Sequence, residues 1–121
     1  LRGAARAPRT HLCAHERGKV HLIPIGEVIY LKAELKYVTV RTAARDYLIE
    51  ESLTRLEQEF GERFVRVHRN CLVARAAVRG FERAPSAGGE AAWHVLLEGV
   101  PERIAVSRRQ QHVVREFGKD E

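Results

Sequence analysis

Apolar residues recur at every second position through most of this chain, in short runs separated by turn-forming residues, and that period points to a fold built from small strands. His11-Leu12-Cys13-Ala14-His15 and Lys19-Val20-His21-Leu22-Ile23 flank Glu16-Arg17-Gly18, which reads as a three-residue hairpin turn with Leu12, Ala14, Val20 and Leu22 facing the core. Val28-Ile29-Tyr30-Leu31 has the continuous apolar character of a buried strand. Glu34-Leu35-Lys36 connects it to Tyr37-Val38-Thr39-Val40-Arg41-Thr42, and a turn at residues 43–45 returns through Tyr47-Leu48-Ile49. Further strands are expected at residues 64–68, 78–83, 93–97 and 103–106.

Helical spacing interrupts this meander clearly once. Leu53, Leu56 and Phe60 fall on one face, Ser52 can cap the first turn and Gly61 can stop the last, leaving an acidic outer face for solvent. A second helix is expected after Ser107, with Val113, Val114 and Phe117 on one side and Gly118 at its end. The expected class is mainly β: small antiparallel sheets with short helices. At 121 residues, 45% hydrophobic, the chain suffices for one core-bearing domain over residues 10–118, between a linker or flexible basic arm at 1–9 and a tail at 119–121. It begins at Leu1 and contains no methionine, which reads as a piece of a longer protein. No apolar run approaches the roughly 18 residues of a membrane span, and Cys13 and Cys71 form no paired spacing, so a reduced, cytoplasmic protein is expected.

Charge is segregated along the chain. Residues 50–62 carry Glu50, Glu51, Glu57, Glu59 and Glu62 against Arg55 alone, whereas residues 63–79 carry Arg63, Arg66, Arg69, Arg75 and Arg79 and no acid. With a net charge of +5 and a pI near 9.7, one element repels a polyanion while its neighbour attracts it. In a fold without a long recognition helix, contacts to duplex DNA must come from turns and strand ends. Three such edges carry suitable groups: Glu34-Leu35-Lys36-Tyr37, His68-Arg69-Asn70 and Ser107-Arg108-Arg109. Alternation puts Arg66 and His68 opposite Val65 and Val67, which suits them to phosphates, while Arg69 at the strand exit suits a base edge. Ser107 is expected to hold a phosphate with the backbone amides of the helix it opens, and Arg109 to reach the groove.

The ordered series Ile29-Tyr30-Leu31-Lys32-Ala33-Glu34, Tyr37-Val38-Thr39-Val40, the helix over residues 53–60, Phe64-Val65-Arg66-Val67-His68-Arg69-Asn70 and Val106-Ser107-Arg108-Arg109 resembles the LytTR DNA-binding domain across residues 19–117. The resemblance implies an elongated arrangement of small antiparallel sheets whose loops enter successive major grooves of a bent, double-stranded promoter site, often as a homodimer on repeated elements. It implies transcriptional control by a two-component response regulator, with a receiver domain ahead of this segment and a cognate kinase. Matched motif to motif, base contacts fall at Lys36 and Tyr37, at Arg69 and at Arg109; Arg66, His68, Asn70, Ser107 and Arg108 serve the DNA backbone. The family commonly carries glycine-asparagine where this chain has Leu35-Lys36, and serine at Asn70. No cofactor is implied, and Asp46 and Asp120, the only aspartates, are too few for a receiver's magnesium site.

Two other classes have weaker support. His11, Cys13 and His15 share one strand face, and a three-residue turn would set His21 opposite Cys13, four groups that could make a zinc-stabilised regulatory module. An enzyme is not expected. Ser52 and Ser107 are better read as helix caps, Ser86 lies in the flexible Pro85-Ser86-Ala87-Gly88-Gly89 loop, and no phosphate-binding glycine loop is present.

Overall fold

A computed structural model describes residues 9–85 and 88–118. Residues 1–8 of the expected arm, 86–87 of the expected loop and the tail at 119–121 lie outside the described residues. Among the described residues ten strands run in order as β1 (His11–Glu16), β2 (Lys19–Pro24), β3 (Tyr30–Glu34), β4 (Tyr37–Arg41), β5 (Asp46–Ile49), β6 (Phe64–His68), β7 (Cys71–Ala74), β8 (Val78–Pro85), β9 (Ala91–Leu97) and β10 (Ile104–Ala105). Helix α1 (Leu53–Glu59) separates β5 from β6, and α2 (His112–Gly118) closes the described chain. The strands form a β1-β2 hairpin, a five-stranded sheet of order β5-β4-β3-β7-β6 and a three-stranded sheet of order β10-β9-β8, every pair antiparallel. The mainly-β architecture expected from the alternation is therefore present.

Residues directly opposite each other in antiparallel strands share a face, so the register assigns each side chain to one of two cores. Leu31 with Val40 and Leu72, Ala33 with Val38, and Phe64 with Ala74 face Leu12, Ala14 and Ile23 of the hairpin and Leu53, Leu56 and Phe60 at α1. The other face presents Tyr30, Val65, Val67, Cys71 and Val73 to Val95 and Leu97 of β9 and to Val106 and Val113. Strand β7, which the sequence reading did not separate, lies between β3 and β6 with all four residues buried. Covered on both faces, it carries no polar alternation to mark it.

The hairpin corrects one expectation. Arg17 and Gly18, at φ 49° and 79°, form a two-residue turn in which both positions are left-handed, so Glu16 pairs Lys19 and Cys13 pairs Leu22. A three-residue turn would shift the register by one and reverse every side chain of β2. Ile23 is consequently the buried residue at 2% exposure, while Val20 and Leu22 stand 54% and 62% exposed.

Helix α1 starts as expected, the Ser52 hydroxyl accepting the Arg55 amide at 3.3 Å. Its C-terminal end is tight at Gly61, where a Cβ would stand 3.1 Å from the Glu57 carbonyl oxygen. The acidic face is not left to solvent, a second correction. Arg9 donates to Glu51 at 2.8 Å and to Glu59 at 2.9 Å, and Glu57 accepts from Arg66 at 2.9 Å. Hydrogen bonding from Arg9 holds the Glu59 carboxyl below the usual range. Across the sheet, Glu102 accepts from the Tyr30 hydroxyl and from Arg41 Nε, both at 2.8 Å, tying the β9–β10 connection to the five-stranded sheet.

The register makes a test. Ile23→Ala should cost about 2–4 kcal/mol in chemical denaturation, as a core truncation. Leu22→Ala should stay within about 0.5 kcal/mol of wild type, as an exposed one. The opposite ranking would restore the three-residue turn.

Candidate nucleic-acid interface

The three basic edges meet at one end of the five-stranded sheet. Glu34 pairs Tyr37 across the Leu35–Lys36 turn, and His68 pairs Cys71 across the Arg69–Asn70 turn. Since Lys32 of β3 lies opposite Cys71 of β7, both turns fall on the same side, and the Ala33 amide donates to the Asn70 carbonyl at 2.8 Å. The Ser107 amide donates to the Val67 carbonyl at 2.9 Å, fastening the third edge to the end of β6. Ser107 opens a 3-10 turn over Arg108–Gln110 rather than the expected α-helix, which begins only at His112, and its hydroxyl makes no capping bond. A helix N-terminus is thus not what this edge offers a phosphate.

The structure sorts the arginines. Arg9, Arg41, Arg45, Arg66, Arg79, Arg103 and Arg108 each pair with an acid of the chain. Arg69 and Arg109 are exposed and have no side-chain hydrogen bond or ion pair among the described residues. Lys36 carries its ammonium 5.6 Å from the Tyr37 ring centre and meets no acid among them. Each edge therefore presents one cation uncommitted within the described chain. Arg108 pairs with Glu90 at 3.1 Å, but with 86% and 78% of the two side chains exposed the pair is readily exchanged for another anion.

Arg66 is placed differently. Its side chain is 18% exposed, bound to Glu57 of α1 at 2.9 Å, and a second guanidinium nitrogen donates to the Arg69 carbonyl. It braces the turn that carries Arg69. Nor do Arg66 and His68 share a face, as strict alternation required. Arg66 opposes Leu72 and His68 opposes Cys71, so the register shifts between them and Val67 is the extra residue of a β-bulge. Leu72 belongs to the core under α1 and Cys71 to the opposite core, so the bulge sends His68 through to the β8–β10 side.

There His68 lines an open cleft of about 220 Å³ with Lys32, Asn70, Cys71, Arg103, Ile104 and Ala105. The backbone N–H of Asn70 donates to His68 Nδ1 at 3.4 Å, an arrangement that suits the tautomer with its proton on Nε2. Lys32 and Arg103 were not singled out from the sequence. Lys32 has a signal, since it occupies the β3 face opposite Leu31; Arg103 has none, because only the packing of two sheets brings it here.

The zinc arrangement fails on the same register. His21 opposes Ala14, not Cys13, and its ring nitrogen lies 3.0 Å from Glu16 on the inward face, away from His11, Cys13 and His15. Among the described residues no group of three His, Cys, Asp or Glu side chains is placed to hold a metal ion. Among them, too, no helix is long and apolar enough to cross a membrane.

Residues 18–119 match the LytTr DNA-binding domain, and the chain belongs to that family. It is 44% identical over 109 residues to the positive alginate biosynthesis regulatory protein of Pseudomonas aeruginosa, a match covering 89% of this chain and 42% of that protein. The chain thus spans about two fifths of that relative's length. A solved LytTr DNA-binding domain of a putative methyl-accepting/DNA response regulator from Bacillus cereus has the same fold, with a TM-score of 0.72 at 19% identity over 90% of this chain and 96% of that one.

The floor of the cleft yields a chemical test. Cys71 is 1% exposed and burial pushes its thiol up to about 12, whereas Cys13 is exposed. In a dithionitrobenzoate assay near pH 8 one thiol should react promptly and the second only on unfolding. Two equally fast thiols would mean that the cleft opens to its floor.

Proposed function

We propose that this chain is the DNA-binding output domain of a two-component response regulator, which binds promoter DNA in a sequence-specific manner and controls transcription. The observation that carries the reading is the convergence of three turns at one sheet end, each bearing a cation uncommitted within the described chain. Family membership supports DNA as the polyanion, and the net charge of +5 fits it.

In this proposal Arg69 and Arg109 reach base edges in the major groove, with Lys36 and Tyr37 on an adjacent stretch. His68 holds a backbone phosphate through its Nε2 proton, with Lys32 and Arg103 adding charge around the same cleft. Asn70, Ser107 and Arg108 lie alongside the backbone, and Arg108 exchanges Glu90 for a phosphate. Arg66 is read as a support for the Arg69 turn rather than as a phosphate ligand, because Glu57 and the Arg69 carbonyl already occupy its donors. The proposed whole protein adds a receiver domain, phosphorylated by a cognate kinase, and pairs two copies on repeated DNA elements. Similarity to the alginate regulatory protein supports control of alginate biosynthesis as the biological context.

Arg69→Ala and Arg109→Ala should each cost about 1–3 kcal/mol on a selected duplex and little on random DNA. Arg66→Ala should also lose selectivity, yet leave the slope of log affinity against log salt unchanged. A true phosphate contact would lower that slope by about one. Binding titrations on selected and random duplexes at several salt concentrations measure all three variants. Equal losses on both DNAs would overturn the base-reading roles.

A further inference from the structure

Leu35 is the most anomalous residue at this edge. It is fully exposed, at 107% of its reference area, and contributes to neither apolar core. Its φ of 54° lies in the left-handed region, where a Cβ is unfavourable and glycine or asparagine is the usual occupant. Folding gains no burial from this side chain and pays in backbone strain to display it. Such strain gathers where a displayed group has a binding role.

The surroundings say what it is displayed to. Leu35 occupies the turn between β3 and β4, at the sheet end where the Ala33 amide bonds the carbonyl beside Arg69. Lys36 follows it, and the one flanking acid is turned back along the sheet: Glu34 accepts from the Thr39 hydroxyl at 3.2 Å and lies 3.7 Å from Lys32. The tip is therefore apolar, flanked by uncommitted positive charge, and able to approach a polyanion. The apolar group that the major groove of DNA offers to such a tip is the C5-methyl of thymine.

We propose that Leu35 is a specificity-determining residue that reads a thymine through its C5-methyl group. This rests on the DNA-reading role proposed above and adds a base identity at the first turn. Lys36 brings its charge to the same stretch, and Leu35 adds the choice of thymine. A tip serving a protein partner instead would answer differently in the same experiment.

Duplexes are selected from a random library with the 121-residue chain, and the preferred sequence is resynthesised with deoxyuridine replacing each thymidine in turn. Deoxyuridine keeps every hydrogen-bonding group and deletes only the methyl. One substitution should weaken the wild-type chain about 4-fold, the share of a single buried methyl-sized group. Leu35→Ala and Leu35→Gly should bind the thymidine and deoxyuridine duplexes alike, while Arg69→Ala keeps the wild-type ratio between them. Melting that is unchanged in Leu35→Ala, and unchanged or raised in Leu35→Gly where the strain is relieved, shows that the fold is intact.

Selection that returns no preferred sequence overturns the DNA-reading proposal itself. A preferred sequence that tolerates every deoxyuridine, or that shows the same ratio in Leu35→Ala, overturns the thymine role alone. So does a Leu35 variant whose only change is in oligomeric state.

Discussion

The pairing of β7 with β3 is the constraint on which the remaining architecture depends. It places in one sheet two hairpins that are distant in sequence, buries Cys71–Ala74 on both faces and divides the apolar side chains into two cores. It also brings the Leu35–Lys36 turn beside the Arg69–Asn70 turn, because antiparallel strands with Lys32 opposite Cys71 must end together. The edge that gathers the basic turns is therefore a by-product of core formation. Its turns lie on either side of the β3–β7 pairing, in which β7 is buried at all four residues, so their backbones are held without help from their own exposed side chains.

What could be read from the sequence follows from this division. Strand period, the capped helix α1 and the three basic edges are local properties, and the alternation of β3 through β6 and the spacing of Leu53, Leu56 and Phe60 revealed them. The face of β2 was not legible, because it hangs on whether Glu16-Arg17-Gly18 holds two turn residues or three. Nor was the bulge at Val67, since an extra residue in one strand is defined only by the partner it fails to match. Strand β7 escaped because burial on both faces removes the polar alternation that marks a strand.

The site shows the same boundary. Arg69 and Arg109 stood out by position, and the structure adds that nothing in the described chain occupies them. Arg66, expected from the alternation to meet phosphates, instead pairs with Glu57, on a helix that comes beside β6 only in three dimensions. Composition cannot separate arginines that hold the fold from arginines held ready for a ligand. Ion-pair geometry identifies arginines of the first kind, and it shows Glu51, Glu57 and Glu59 of the acid-rich segment before β6 neutralising Arg9 and Arg66.

Arg9 and Arg66 grip the same helix of seven residues, at Glu59 and at Glu57 respectively. Arg9 is also the first described residue, and its backbone amide donates to Glu59 at 3.0 Å, so the chain enters the fold through a handle fixed to α1. Two residues away along that helix, Glu57 anchors the guanidinium that braces the Arg69 turn. In mechanical terms α1 is a short crossbar, with residue 9 attached at one point and the brace of the Arg69 turn at another.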